Sequence, residues 1–171
     1  MPDEWIRQWG DPTLRQVARP VVRMDELLRR QIARMQQRLI EAEGAGLAAT
    51  QVGLLRRVFV FRRAPEDPVD AIVNPRVLHR SAERATFIEG CLSFNAVAVA
   101  VERAVAVRLE GQDLDGRVRA FDVEGFAASL FQHETDHLDG ILTLDRATPD
   151  ERRRAIAALL EHERGARPLA A

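Results

Sequence analysis

The sequence has no lysine and no tyrosine, holds one cysteine, and contains no long apolar run. Because Cys91 has no partner within the chain, an internal disulfide is excluded. A membrane-spanning helix needs ~20 consecutive apolar residues, and the N-terminal stretch MPDEWIRQWGDP lacks the apolar core of a signal peptide. These absences predict a soluble protein of the reducing cytoplasm that does not enter membranes.

The chain also lacks an excess of charge of either sign. The 25 basic side chains, all arginine, are balanced by 26 acidic ones spread along the chain, so the formal net charge is −1. No basic face is evident, and direct nucleic-acid binding is not indicated. With 171 residues, 46% of them hydrophobic, the chain can bury one ordinary core. We therefore expect a single domain over residues 1–171.

Two segments in the first four-fifths of the chain have the pattern of helices. Residues 24–43 repeat apolar side chains at helical spacing, with Asp25 placed to cap the start and Gly44 to end the helix. This predicts an N-terminal amphipathic helix. A second helix is predicted over about 124–138, with Gly140 placed to terminate it.

A third helix is predicted at the C-terminal end, over residues 148–165. Thr148 can cap it, Pro149 suits its first turn, and Glu151 would complete a capping box.

Between the first two helices the periodicity changes to that of strands. RVFVF, AIVNP and RVLHR are short apolar runs, AVAVAVERAVAVRLEG alternates over two segments, and residues 113–116 offer an Asp-Gly hairpin turn into RVRAF. The sequence therefore predicts an α+β fold, with antiparallel β-sheets packed around the central second helix.

That central helix carries FQHETDHLDG, residues 131–140. Residues four apart lie one above the other on a helix, so His133 and His137 can bind one ion while Glu134 reaches a water molecule beside it. The histidines continue an apolar stripe from Phe126 and Leu130, which we expect to be buried, and unpaired imidazoles there would cost stability. The HExxH pattern thus predicts a hydrolytic metal site.

A catalytic metal of this kind needs a third protein ligand. Downstream, Asp139, His162 and several glutamates are available. Upstream, EGCLSF offers Cys91, although a lone cysteine is more often a small core residue. The stretch GAGLAATQVG, residues 44–53, has small residues that let a substrate backbone approach, followed by the amide of Gln51. A helix end followed by a turn explains that stretch equally well.

Together and in this order, the three stretches resemble the peptide deformylase family. Its pattern GxGLAAxQ, EGCLS and QHExDHLxG is matched by residues 44–51, 89–93 and 132–140, and GDPTLRQVARPV resembles the family's opening segment. The resemblance covers about residues 10–146.

The resemblance implies a role for each matching residue. Three residues would bind the metal: Cys91, His133 and His137. Glu134 would be the general base, while Gln51 and the backbone N–H of Leu92 would hold the formyl oxygen. Five residues would contact the peptide: Gly46, Phe87, Gly90, Phe126 and Leu130. Ser129 would join the apolar pocket for the methionine side chain despite its polarity, and Glu89 and Asp136 are acidic neighbours placed to orient the histidines.

The implied activity is metal-dependent hydrolysis that removes the formyl group from the N-terminal formylmethionine of newly synthesised polypeptides and releases formate. Fe²⁺ is the favoured ion, with Zn²⁺, Ni²⁺ or Co²⁺ as replacements. The implied partners are N-formylmethionyl nascent peptides and the ribosome near its exit tunnel. Two positions depart from the family's pattern, because Asn95 replaces a proline and Ala98 replaces a peptide-binding arginine, whereas Arg103 matches a family arginine further downstream. We expect these departures to affect peptide affinity.

Three other functions fit parts of the pattern. A zinc peptidase would use His133, His137 and a downstream carboxylate, so it would keep its metal in Cys91→Ala. A cysteine hydrolase with Cys91 as nucleophile would stay active in a chelator. A protein that only binds formylated peptides or ribosomes would have no need of Glu134 as a proton shuttle.

Overall fold

The computed structural model describes residues 5–94 and 97–166, so that Asn95 lies outside the described residues. The architecture is α+β, with two antiparallel sheets and few helices, as the sequence predicts. Within the described ranges, no helix is both long and apolar enough to cross a membrane.

The described helices and strands follow one another in a simple order. The α-helices are α1 (Glu26–Glu41), α2 (Gly125–Leu138), α3 (Thr143–Arg146) and α4 (Pro149–Ala166), and short 3₁₀ helices span Pro12–Arg15 and Ala49–Val52. The strands are β1 (Gly46–Ala48), β2 (Val58–Phe61), β3 (Asp70–Arg80), β4 (Arg84–Glu89), β5 (Val99–Ala104), β6 (Ala106–Gln112) and β7 (Val118–Glu124).

The larger sheet has five strands in the order β1-β2-β3-β6-β7, and β4 and β5 form a separate two-stranded ribbon. All four residues of strand β2 are buried. Because successive side chains of a strand point to opposite sides, both faces of β2 are covered. Phe59 and Phe61 pack with Phe131 of α2, whereas Val58 and Val60 pack with α1. The larger sheet therefore lies between α1 and α2.

The ribbon is attached to α2 by Gln132. Its amide nitrogen donates to the carbonyl of Ala104 at 3.0 Å, and its amide oxygen accepts from the N–H of the same residue at 3.3 Å. This pair of bonds holds the ribbon against the helix that carries both histidines.

The first helix is confirmed, with a small correction at its end. Asp25 caps α1 by accepting the N–H of Leu28 at 2.8 Å. At the C-terminal end the left-handed residue is Glu43, with φ 52°, rather than Gly44. Gly44 is needed for space, since a Cβ there would lie 2.7 Å from a methyl carbon of Leu39.

The capping box predicted for the last helix is only half formed. The hydroxyl of Thr148 accepts the N–H of Glu151 at 3.3 Å. The carboxylate of Glu151, however, accepts the N–H of Ala100 in β5 at 2.8 Å. The Glu151 side chain therefore bonds to a backbone N–H of β5 instead of to the backbone N–H at the start of its own helix.

Two strand predictions also change. AIVNP and RVLHR form one strand, β3, whose pairing with β6 shifts near Asn74, a residue with φ 52°. The side chain of Asn74 forms hydrogen bonds with both the N–H and the C=O of Val21 at 2.8 Å, which stabilises the irregularity.

Residues 46–52, whose sequence also fits a turn, form β1 and a 3₁₀ helix. The hairpin turn between β6 and β7 is confirmed, with Gly116 at φ 80°.

Candidate metal centre and adjoining cavity

Three potential metal ligands meet beside α2, just after the end of β4. Side-chain donor atoms of Cys91, His133 and His137 all lie within 4.8 Å of one another. In residues 5–94 and 97–166, this is the one group of at least three Cys, His or acidic side chains that could hold an ion. The downstream candidates are elsewhere, since Asp139 pairs with Arg57 at 2.6 Å and His162 is exposed on α4.

The donor set fits a divalent metal. The Cys91 sulfur lies 3.2 Å from Nε2 of His137, so this nitrogen faces the centre of the group. Nδ1 of His133 lies 2.9 Å from the Glu89 carboxylate, which leaves its Nε2 for an ion. One thiolate and two imidazoles leave the fourth position of a tetrahedral site open, as in catalytic metal sites.

Burial and neighbouring charges act differently on the two histidines. Burial lowers the pKa of His137 well below its usual value, and the charges of His133 and Arg103 lower it further. Burial also lowers the pKa of His133, but hydrogen bonds with Cys91 and Glu89 outweigh it and raise the pKa well above its usual value. His137 is therefore a neutral imidazole, the form that binds metals.

A buried network of charges stands behind His133. Glu89 accepts two hydrogen bonds from Arg103, at 2.8 and 3.0 Å, and one from the Ser129 hydroxyl at 2.8 Å. Arg103 also pairs with Asp136, which in turn accepts from Arg146 at 2.7 and 3.0 Å. Glu89 therefore contacts a histidine as expected, whereas the prediction for Asp136 is wrong, because it contacts two arginines instead.

Glu134 lies one residue beyond His133 on α2. Its Oε2 atom is buried with no hydrogen-bond partner among the described residues, and burial raises the pKa of its carboxyl group to about 7. On its other side the carboxylate approaches β1 closely, since a Cβ at Gly46 would lie 2.3 Å from Oε1. Glycine at position 46 is therefore what allows Glu134 to occupy this place.

Gln51 presents its amide nitrogen to the same centre. Its side-chain oxygen accepts the N–H of Ala48 at 2.8 Å, which fixes the orientation of the amide group. The nitrogen donates to the Ser93 hydroxyl at 3.1 Å and lies 3.5 Å from the Cys91 sulfur. Ser93 and Thr143, whose hydroxyl lies 3.5 Å from Nδ1 of His133, are neighbours that the sequence reasoning missed.

A cavity of about 530 Å³ opens beside these groups. Ten residues with a predicted metal, catalytic or peptide-binding role line it: Gly46, Gln51, Phe87, Gly90, Cys91, Leu92, Phe126, Leu130, His133 and Glu134. His137 is not part of the lining and is only 1% exposed. Ile88, Val97 and Ala98 also line it. Ile88 was missed because its strand, β4, carries no strong apolar alternation.

Two of the lining residues differ from expectation. Phe126 was expected to be buried but is 58% exposed in the first turn of α2, so the buried stripe begins later on the helix. Ser129 is buried as the pocket requires, and its hydroxyl is directed to Glu89. The polarity of Ser129 therefore serves the charge network.

Backbone groups of two strands also face the cavity. The carbonyl of Ala45 accepts from Arg62 next to β2, and alternation along the strand turns the backbone groups of Gly46 the other way. In the ribbon, the N–H of Ala100 points away from β4 to Glu151, so its partner Ile88 likewise turns its N–H and C=O away from β5. The cavity thus lies between two strand edges.

Comparison with known proteins gives a consistent result. Residues 3–153 match the family model described as "Polypeptide deformylase". The chain is 43% identical over 147 residues to the peptide deformylase of Thermotoga neapolitana, covering 86% of this chain and 88% of the relative. It is 42% identical over 156 residues to peptide deformylase 1 of Corynebacterium glutamicum, covering 90% and 92%.

Solved structures agree. A crystal structure of a peptide deformylase from Legionella pneumophila has a TM-score of 0.89 at 33% identity, covering 95% of this chain and 98% of that one. The crystal structure of peptide deformylase from Thermus thermophilus has a TM-score of 0.85 at 39% identity, covering 95% and 99%.

Proposed function

The chain belongs to the peptide deformylase family, and on this premise we propose which of its residues carry out the reaction. Enzymes of this family are metal-dependent and remove the N-terminal formyl group from nascent peptides, and this chain is such an enzyme. The observation that carries the assignment is the meeting of Cys91, His133 and His137 beside Glu134 and Gln51.

The metal ligands in this proposal are Cys91, His133 and His137. When bound there, a divalent ion supplies Lewis acidity, which makes water nucleophilic near neutral pH. Mixed thiolate and imidazole ligands suit both Fe²⁺ and Zn²⁺, and we favour Fe²⁺, with Zn²⁺, Ni²⁺ or Co²⁺ as replacements. Glu89 holds the ring of His133 in the orientation that ligation needs.

Glu134 moves the proton. It takes a proton from the attacking water and then delivers it to the departing amine of the methionine residue. A carboxyl group whose pKa is raised to about 7 by burial can accept and release a proton near neutral pH. Its Oε2 atom, which has no partner in the described part of the chain, is the atom we assign to this role.

Gln51 and the backbone N–H of Leu92 stabilise the charge that develops on the formyl oxygen. The amide of Gln51 is held by Ala48 and needs little rearrangement to donate. Removing one such donor typically costs about 3 kcal/mol of transition-state stabilisation. The formyl carbon bears only hydrogen, so a narrow site here admits it and excludes larger acyl groups.

The peptide binds as an added strand in the cavity. The backbone groups of Gly46 on one side and of Ile88 and Gly90 on the other supply hydrogen bonds to an extended chain. The apolar side chains of Phe87 and Leu130, with Phe126 at the mouth, receive the methionine side chain. Contact with the ribosome near its exit tunnel and residence in the cytoplasm stay predictions.

The test is formate release from a formyl-methionyl tripeptide by the Fe²⁺-loaded enzyme. The matched acetyl-methionyl tripeptide should be inert, and chelation of the metal should abolish turnover. Activity that survives the chelator would point to Cys91 as a nucleophile, and cleavage of an internal peptide bond would point to a zinc peptidase. Binding of the formylated peptide without turnover would indicate a binding protein.

A further inference from the structure

Two side chains of α4 cover the outer edge of the β4–β5 ribbon. Glu151 accepts the N–H of Ala100 at 2.8 Å, and Arg154 donates to the carbonyl of Ala98 at 2.7 Å. Arg154 and Glu151 are themselves joined by two hydrogen bonds, at 2.6 and 2.8 Å. Together they satisfy the backbone groups that the start of β5 presents away from β4, which an uncovered edge strand would leave to solvent.

The other edge of the ribbon is the one that faces the cavity. Ile88 and Gly90 line the cavity, and the backbone groups of Ile88 turn away from β5. Ala98, which Arg154 holds, is also part of the cavity wall. The ribbon therefore has one edge fixed by α4 and one edge open to a bound peptide. Because the pairing of β4 with β5 joins the two edges, we expect a shift of the first to displace the second.

The apolar packing of α4 does not depend on this pair. Ala155 and Leu159 are buried in a cluster that includes Val99 and Val101 of β5. The side chain of Arg154 is 56% exposed, so its loss removes little buried surface. Loss of the polar pair should therefore leave the helix docked while freeing the edge of the ribbon.

We propose that Glu151 and Arg154 are positioning residues that hold the open edge of the ribbon in place for peptide binding. This inference rests on the proposed function. Ile88 lies three residues before Cys91, in β4, so we expect it beside peptide residues beyond the formylated one. The pair should consequently act on the KM of longer substrates and leave the chemical step unchanged.

The experiment compares Arg154→Ala and Glu151→Ala with Arg153→Ala. Arg153 is the matched control, because its ion pair in the described structure is with Asp150 on the same exposed face of α4. For a formyl-methionyl tripeptide, both test variants should raise KM about threefold to tenfold, the effect of losing one ordinary hydrogen bond. Their kcat, and all constants for formyl-methionine alone, should stay within about twofold of wild type, a small change on the scale of tenfold per 1.4 kcal/mol.

Arg154→Lys should recover part of the lost affinity, since lysine keeps one charged donor. An unchanged tripeptide KM in both alanine variants would overturn the inference, as would an equal loss with formyl-methionine alone. If an alanine variant fails to fold, Glu151→Met and Arg154→Met allow the same comparison, because methionine keeps most of the side-chain volume but neither accepts from Ala100 nor donates to Ala98 as the native side chains do.

Hydrogen exchange separates this inference from the proposed function. The Ala100 amide should exchange faster in Glu151→Ala than in Arg153→Ala, whether or not the enzyme releases formate. If wild type releases no formate from the tripeptide, the proposed function fails. If the Ala100 amide is equally protected in both variants, the positioning role of Glu151 and Arg154 fails.

Discussion

Replacing Glu89 with alanine should destabilise the protein and weaken metal binding, because this buried carboxylate accepts four hydrogen bonds. Two come from Arg103 at 2.8 and 3.0 Å, one from Ser129 at 2.8 Å, and one from Nδ1 of His133 at 2.9 Å. Burial alone raises the pKa of Glu89, but the bonds from His133 and Arg103 outweigh it and lower the pKa to about 2. The carboxylate is therefore charged at neutral pH.

The expected loss follows from what the substitution leaves behind. Arg103 would keep only Asp136 as a charged partner among the described residues. The Ser129 hydroxyl would lose its acceptor, and Nδ1 of His133 would keep only the Thr143 hydroxyl at 3.5 Å. Breaking one side of a buried ion pair costs about 3–5 kcal/mol. Because Asp136 remains, we expect the free energy of unfolding to fall by about 3 kcal/mol. In a chain of this size that loss lowers Tm by about 6–12 °C.

Thermal unfolding of the metal-free protein measures this loss without the contribution of a bound ion. Glu102→Ala is the matched control, since Glu102 pairs with Arg84 at 3.2 Å on the exposed surface of the same ribbon. Its loss should lower the free energy of unfolding by less than about 1 kcal/mol. Competition with a chelator should then show metal affinity about 10–100-fold weaker in Glu89→Ala. Equal Tm values for the two variants would refute the reasoning from the buried network.

Three further substitutions and one change of atmosphere test separate parts of the site. Glu134→Ala should retain the metal but lose about 10²–10⁴-fold in kcat, and turnover within a few-fold of wild type would remove Glu134 from the mechanism. Gly46→Ala should also lower kcat, because the added Cβ would lie 2.3 Å from the Glu134 carboxylate; an unchanged kcat would mean that the carboxylate has room to move. Ala98→Arg should lower KM for formyl-methionyl tripeptides about tenfold without raising kcat, since a charged donor would be added to the cavity wall; a change in kcat alone would show that position 98 does not contact the peptide. If Fe²⁺ is the native ion, activity should decay faster in air than under nitrogen, and equal half-lives would point to a redox-inert metal.

The features that sequence alone predicts well are those whose signals lie within a few residues. Asp25 caps α1 through the N–H of Leu28, three residues later, and Gly116 closes the hairpin between β6 and β7. The helix over 125–138 likewise follows from its own apolar spacing and from Gly140, which has φ 71°. Such patterns need no knowledge of the rest of the fold.

The features that were wrong involve a choice between distant partners. Asp136 is next to a histidine in sequence, yet it binds Arg103 and Arg146, because those guanidinium groups are brought to it by β5 and α3. Glu151 was expected to close a capping box and instead binds an edge strand. Phe126 continues the buried stripe in sequence, but the first turn of α2 lies at the open mouth of the cavity, where its side chain stays exposed.

The site itself was predictable to the extent that its residues fall in three recognisable motifs. Cys91 could be joined to the histidines 42 and 46 residues away only through resemblance to the family, since no local pattern links them. The roles given to these residues, and the extent of the domain, stay predictions.

Metal content of wild type and Cys91→Ala, measured by elemental analysis after loading with Fe²⁺ and removal of free ions, tests the central claim most directly. We predict about one ion per chain in wild type, because the thiolate and the imidazoles of His133 and His137 converge on one point. Cys91→Ala should lose most of it, since two imidazoles alone would remain. Full occupancy in Cys91→Ala would contradict the assignment.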